Sequence, residues 1–254
     1  MQVVILAGGL GSRLAEETVS LPKPMVSIGH DPILVHIMRF FAAQGHTEFV
    51  VALGFKGAVI KDYFRNFSQN NSSLRIRTTD STVEVLNGTE NNWVIDLIDT
   101  GLESGTGGRL RKLEPYLKER FLMTYGDGLS NVNLPALIAL HDRTKSLATV
   151  TAVQPPARFG GLEIEGDIVK SFREKSKSDV AWVNGGFFVL EKSILEFIST
   201  DETAFEEEPL QNLAIQGELA AYRHSGFWQP MDTLKDKMHL EEIWQSGNAP
   251  WAEM

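Results

Sequence analysis

The sequence contains no cysteine. Disulfides, thiolate metal centres and cysteine nucleophiles are therefore excluded. Long apolar runs are also missing. The N-terminal run at residues 3–7 has no basic segment before it. It is too short for a signal peptide and far too short to span a bilayer. A cytoplasmic protein with no membrane partner is expected. Basic residues are outnumbered, 24 against 33 acidic, for a formal net charge of −9. Such a chain has no general attraction for nucleic acid or anionic membrane. If it binds polyphosphate it must gather cations locally, so clustered Lys and Arg become informative. Two familiar nucleotide patterns are absent. Gly9-x-Gly11 is followed by Leu14 where a third dinucleotide-binding glycine would stand, and no Gly-Lys-Ser/Thr follows to make a P-loop. The six histidines show no metal spacing such as H-E-x-x-H.

The ordinary apolar content of the 254 residues is enough for a sizeable core. Residues 3–7 form a compact apolar run bounded by Gly8-Gly9 and read as a buried parallel strand. A helical face over 33–45 follows, then a strand at 49–55, a helix at 57–67 and a strand at 74–79. This order argues for a doubly wound parallel sheet of the α/β class. Further along, 82–86 and 93–98 are strand-like, 109–118 is helical, and 121–125 is an apolar strand ending in Gly126-Asp127-Gly128. A helix at 134–145, strands at 148–153 and 182–190, a hairpin at 162–172 and a closing helix at 233–245 complete the reading. No repeat or Pro/Ser-rich linker interrupts it. A single domain over 1–254 is expected, with a mostly parallel sheet flanked by helices and inserted β-hairpin elements.

Four motifs carry candidate chemistry. The first is Leu6-Ala7-Gly8-Gly9-Leu10-Gly11-Ser12-Arg13, directly after a strand. Its glycines allow close backbone approach and aim N–H groups at phosphate oxygens, with Arg13 adding charge. A tight turn needing glycine is the competing account. The second is Pro22-Lys23-Pro24, whose prolines stiffen the backbone around a cation. It competes with a solvent-exposed lysine. The third is Asp127 at a strand's carboxyl end, where open α/β sheets bind ligands and where a hard oxygen donor suits Mg²⁺. It competes with an Asp that caps its own turn. The fourth is Asp232, which either caps the following helix or supplies a second metal ligand. Thr106-Gly107-Gly108-Arg109 opens a helix whose N-terminus can favour anions. Glu174 can accept hydrogen bonds from sugar hydroxyls and Lys175 can hold a phosphate, though taken as isolated residues a solvated ion pair is the stronger account.

These motifs, with Asp99-Thr100-Gly101, Asn184-Gly185-Gly186-Phe187 and Trp228-Gln229-Pro230-Met231-Asp232-Thr233, resemble the sugar nucleotidyltransferases from end to end. Within that family the Trp228 and Asn184 blocks resemble the glucose-1-phosphate cytidylyltransferase branch. The resemblance implies a Rossmann-like fold with a sugar-binding lobe. It implies CTP and α-D-glucose 1-phosphate as substrates, CDP-glucose and pyrophosphate as products, and a role in dideoxysugar synthesis for surface polysaccharide such as O-antigen. It assigns Ser12, Arg13 and Lys23 to the triphosphate and Asp127 and Asp232 to Mg²⁺. Leu6–Gly11, Thr106, Arg109 and Gly126 fall to the nucleotide, and Glu174, Lys175 and Asn184 to the sugar phosphate. Arg13, Lys23, Asp127 and Asp232 make up the implied catalytic set. A homo-oligomer is implied as well. The same chemistry on UTP or dTTP, and a non-catalytic sugar-nucleotide sensor, are the competing functions.

Overall fold

A computed structural model describes residues 1–9, 11, 14–18, 20–87, 92–155, 161–165, 168–173 and 181–252. Seven strands form the central sheet: β1 (Gln2–Leu6), β2 (Glu48–Leu53), β3 (Val94–Asp99), β4 (Arg120–Tyr125), β5 (Ala148–Val153), β6 (Val183–Glu191) and β7 (Leu219–His224). Their order is β7-β5-β6-β4-β1-β2-β3. The run β3-β2-β1-β4 is parallel throughout. Strand β6 lies antiparallel to both β4 and β5, and β7 is parallel to β5. The sheet is therefore mixed and mostly parallel, flanked by helices, as expected.

Helices α1 (Ile33–Ala43), α2 (Gly57–Arg65), α3 (Thr106–Lys112), α4 (Leu134–Thr144), α5 (Glu208–Ile215) and α6 (Leu234–Gln245) cover its faces. Successive side chains of β1 point to opposite faces. Val3 and Ile5 join one buried cluster with α1, α2, α4 and α6, while Val4 and Leu6 join a second with α3 and α5. A strand covered on both faces must be apolar at every position, and that is why residues 3–7 read as an unbroken run. Phe41 of α1 is 1% exposed and packs on Phe40 and Phe187. Truncating such a ring to alanine costs about 3–5 kcal/mol.

Residues 74–79 depart from the expectation. Ser73–Arg77 pairs only with Thr82–Asn87, as a separate antiparallel ribbon, and β3 takes the third parallel position. Arg75, Arg77 and Glu84 alternate with Leu74, Ile76, Val83 and Val85. That pattern makes one apolar and one polar face, unsuited to a sheet covered on both sides. The helix expected over 109–118 starts earlier and stops at Lys112, with a 3₁₀ turn at Glu114–Tyr116 around Pro115. The sequence reading missed β7 and α5. Leu219–His224 lacks a continuous apolar run, and Pro209 sits in the first turn of α5.

Strand β1 occupies the topological switch point, with β2 on one side and β4 on the other. Ligands of open α/β sheets bind outside the carboxyl ends of the strands at such a point.

Candidate functional site

The chain leaves β1 into Ala7-Gly8-Gly9 and leaves β4 into Gly126-Asp127. The two exits are tied together, since Gly126 N donates to Leu6 O at 3.0 Å, and Ala7 N anchors the first of them to β2 by donating to Ala52 O at 3.0 Å. A Cβ on Gly126 would stand 3.0 Å from Pro24 Cγ and 3.2 Å from Leu6 O, so any larger residue would press these neighbours outward by a few tenths of an ångström. Gly11 has φ of 64°, the left-handed region that glycine enters freely. A cleft of about 460 Å³ opens over these ends. Its walls include Leu6–Gly9, Gly11, Lys23, Thr106, Arg109, Gly126, Asp127 and Asp232. Leu10, Ser12, Arg13, Glu174 and Lys175 lie outside the described residues.

Three residues far apart in sequence meet in this cleft. Lys23 Nζ donates to Asp127 Oδ2 at 2.7 Å and to Asp232 Oδ1 at 2.7 Å. Local structure explains each position. Pro22 and Pro24 set Lys23 in a 3₁₀ turn and bury it to 9% exposure. Asp127 stands two residues past the end of β4. Gly128–Ser130 pairs antiparallel with Trp228–Pro230, with Pro230 opposite Gly128. Met231 N then donates to Asp127 O at 2.8 Å. This short ribbon carries Asp232 to Asp127. Burial pulls the Lys23 pKa down, but Asp127 and then Asp232 outweigh it and hold the value above that of an ordinary lysine.

Asp232 does not cap α6. Thr233 is the N-cap: its hydroxyl accepts from Asp236 N and the Asp236 carboxylate accepts from Thr233 N, a reciprocal capping box. The Thr233-x-x-Asp236 spacing carries that signal in the sequence. The carboxylate of Asp232 is thereby left to the cleft. Two hard-oxygen donors already holding one positive charge between them suit Mg²⁺, which takes one or two carboxylates and fills its shell with water and substrate phosphate. Among the described residues no group of three or more His, Cys, Asp or Glu could hold a metal, so a dedicated protein cage is not formed.

Arg109 sits on the opposite wall, 4% exposed. The sequence reading made it a nucleotide contact. In the fold its guanidinium is committed first to the protein. Nη1 donates to Leu53 O at 3.2 Å, Thr100 Oγ1 at 2.8 Å and Gly101 O at 2.7 Å. Nη2 donates to Gly8 O at 3.0 Å and Leu102 O at 3.1 Å. Arg109 thus pins the Gly-rich loop to the ends of β2 and β3. Burial lowers its pKa, with Asp99 acting in the opposite direction.

The anion-favouring N-terminus expected at α3 is also committed. Gly105 N donates to Asp201 O at 2.9 Å, and Gly107 N and Gly108 N donate to Thr203 O at 2.9 and 3.2 Å. A Cβ on Gly108 would stand 1.7 Å from Asp201 O, so this seam needs glycine. Thr106 Oγ1 donates to Glu206 Oε2 at 2.5 Å. Tyr125 donates its phenol proton to the other oxygen of the same carboxylate. Burial first, and Glu206 second, push the Tyr125 pKa far up and keep the phenol neutral. Asn184 Nδ2 reaches Tyr125 Oη at 3.4 Å, which sets Asn184 at the rim beside Tyr125. The sequence reading missed Tyr125 and Glu206, and no local pattern marks Glu206 as a cleft neighbour.

Comparison with known proteins identifies the family. The family model described as nucleotidyl transferase matches residues 2–238. A glucose-1-phosphate cytidylyltransferase of Salmonella typhi is 49% identical over 99% of this chain and 98% of its own length. A probable glucose-1-phosphate cytidylyltransferase of Bacillus subtilis is 42% identical over 99% of each. Among solved structures, HddC from Yersinia pseudotuberculosis superposes with a TM-score of 0.70 at 25% identity, over 96% of this chain and 99% of that one. Among the described residues, no helix is long and apolar enough to cross a membrane. Nucleotidyltransferases of this kind act on a nucleoside triphosphate and a sugar phosphate and generally use a divalent metal. The chain belongs to the nucleotidyl transferase family, in the branch of the glucose-1-phosphate cytidylyltransferases.

Proposed function

We propose that this chain transfers the cytidylyl group of CTP to α-D-glucose 1-phosphate, giving CDP-glucose and pyrophosphate. One observation carries the reading. Lys23, Asp127 and Asp232 converge within hydrogen-bond distance beside a glycine-rich strand exit, in a chain 49% identical to a protein named for that activity. The sugar phosphate is itself a dianionic nucleophile near neutral pH, so no protein nucleophile is needed. Its oxygen attacks the α-phosphorus in line as the bond to pyrophosphate breaks. The protein's work is to bring two anions together and to offset charge on the leaving group.

The glycine-rich exit of β1, where Gly9 is exposed, admits the triphosphate, and Lys23 offers it a cation. Ser12 and Arg13 extend that loop as phosphate ligands. Asp127 and Asp232 would hold Mg²⁺, which supplies charge neutralisation at the phosphate oxygens when bound. Thr106 and Gly126 flank the nucleotide, and Arg109 keeps the loop beneath it at a fixed distance. Glu174, Lys175 and Asn184 serve the sugar phosphate. Fixed cations act where charge develops, and loss of one preorganised charge-stabilising donor typically raises such a barrier by about 2.7–4 kcal/mol. Positioning supplies much of the remainder.

The reading covers 1–254 as one cytoplasmic domain with a sugar-binding lobe. It extends to a homo-oligomer, supported by the ribbon Ser73–Asn87, whose Leu74, Ile76, Val83 and Val85 share one exposed apolar face. A lone two-stranded ribbon is marginal in water, and a second copy would cover it. Pyrophosphate release, measured with CTP, UTP, dTTP, ATP and GTP against several sugar 1-phosphates, tests the function. CTP with glucose 1-phosphate is expected to lead. A lead for UTP or dTTP would reassign the base, and no release with any pair would leave a sugar-nucleotide sensor.

A further inference from the structure

The ammonium of Lys23 lies 2.7 Å from an oxygen of each aspartate. It occupies the bridging position that a divalent ion shared by Asp127 and Asp232 would need. Two cations cannot share that position, because their repulsion is strong at contact distance in a partly buried site. The lysine side chain is only 11% exposed, against 32% and 28% for the two carboxylates. The cation is thus more buried than the groups that neutralise it. The turn around Lys23 is fixed: a Cβ on Gly11 would stand 3.2 Å from the Lys23 Cβ, and Val26 N closes the turn onto Lys23 O. Beyond Cβ the stem is a flexible chain ending in three rotatable donors. The ammonium can therefore change partners while the backbone stays in place.

We propose that Lys23 is a placeholder cation. In the substrate-free protein it bridges Asp127 and Asp232, holds the two carboxylates together and keeps divalent metal out. Polyphosphate arriving at the glycine-rich exit of β1 draws the ammonium away, and the metal then takes its place at the carboxylates. Metal and nucleotide consequently enter together, and the free enzyme has little affinity for metal alone. Arg109 cannot act this way, because its guanidinium bonds are spent on four carbonyls and a hydroxyl. The inference rests on the reading of Asp127 and Asp232 as metal ligands.

The test is Mn²⁺ binding to the full chain without nucleotide, followed by electron paramagnetic resonance of the free ion. Lys23→Met keeps the apolar stem and removes the charge. It should bind Mn²⁺ roughly tenfold or more tightly than the wild type. Adding Asp127→Asn and Asp232→Asn to Lys23→Met should abolish the gain. Equal affinity of wild type and Lys23→Met, with both dependent on the aspartates, overturns the placeholder and leaves the metal site standing. A gain that survives loss of both aspartates overturns the two together. If Lys23→Met does not fold by circular dichroism, Lys23→Gln replaces it, and the wild type supplies an independent arm. Its melting temperature should be unmoved by Mn²⁺ alone or by α,β-methylene-CTP with chelator, and should rise when both are present. A full rise with Mn²⁺ alone would sink the proposal.

Discussion

Lys23 and Arg109, two cations that line the cleft, are held in opposite ways. Lys23 is neutralised by two carboxylates that keep contact with solvent, whereas Arg109 is surrounded by backbone carbonyls and a hydroxyl. Burying a charge is costly unless it is well hydrogen-bonded, and both arrangements meet that cost. They differ in what happens when an anion arrives. The partners of Lys23 are themselves charged and can be claimed by a metal, so its bonds are exchangeable. The partners of Arg109 are the ends of β2 and β3 and the Gly-rich loop, so moving it would dismantle the pocket wall. One side of the cleft is built to change partners and the other to stay.

Substitutions can break or sharpen that contrast. The largest expected effect on turnover is Lys23→Ala. It should lower kcat by roughly 10²–10³-fold, as loss of a charge-stabilising donor does elsewhere, with a native circular dichroism spectrum. Near-normal turnover would remove Lys23 from the chemistry. Asp127→Asn should come next, with a smaller loss of rate and a shift of the metal titration to higher Mg²⁺. An unchanged titration would count against the metal assignment. Arg109→Ala should act mainly on stability. It leaves buried carbonyls unsatisfied, at about 1–3 kcal/mol for each such group, and thermal unfolding should record a drop of several degrees. A native melting temperature in that variant would erase the contrast with Lys23. Tyr125→Phe removes one donor from Glu206 and should change kcat/KM by less than about tenfold. The smallest effect on catalytic geometry is expected from Ile76→Lys with Val83→Asp, a cross-strand pair on the exposed ribbon. That pair should leave monomer stability within about 0.5 kcal/mol while reducing the assembly seen by sedimentation.

How much of this could be read in advance depended on where the partners lay. Strand β1, the glycine exit and Asp127 at the end of β4 were legible because a doubly covered strand is apolar at each position and a ligand-facing turn needs small residues. The meeting of Lys23 with Asp127 and Asp232 was not legible from the residues alone. It spans 104 and 209 residues and depends on the pairing of Gly128–Ser130 with Trp228–Pro230, two strands of three residues each. Family resemblance suggested it; local pattern did not. The clamp made by Arg109 was hidden for a different reason. Its partners are backbone carbonyls, which every residue carries, so no side-chain pattern announces the clamp. Asp232 stood one place before the true cap, and the Thr233-x-x-Asp236 box could have separated the two duties.

The direct test of the account is a double-variant cycle on turnover. If Lys23, Asp127 and Asp232 work as one unit on the nucleotide's phosphates, Lys23→Ala combined with Asp232→Asn should be little slower than the slower single variant, as residues acting together are strongly non-additive. Losses that multiply across the pair would mean that the lysine and the aspartate act independently, and that their contact in the fold is incidental to the chemistry.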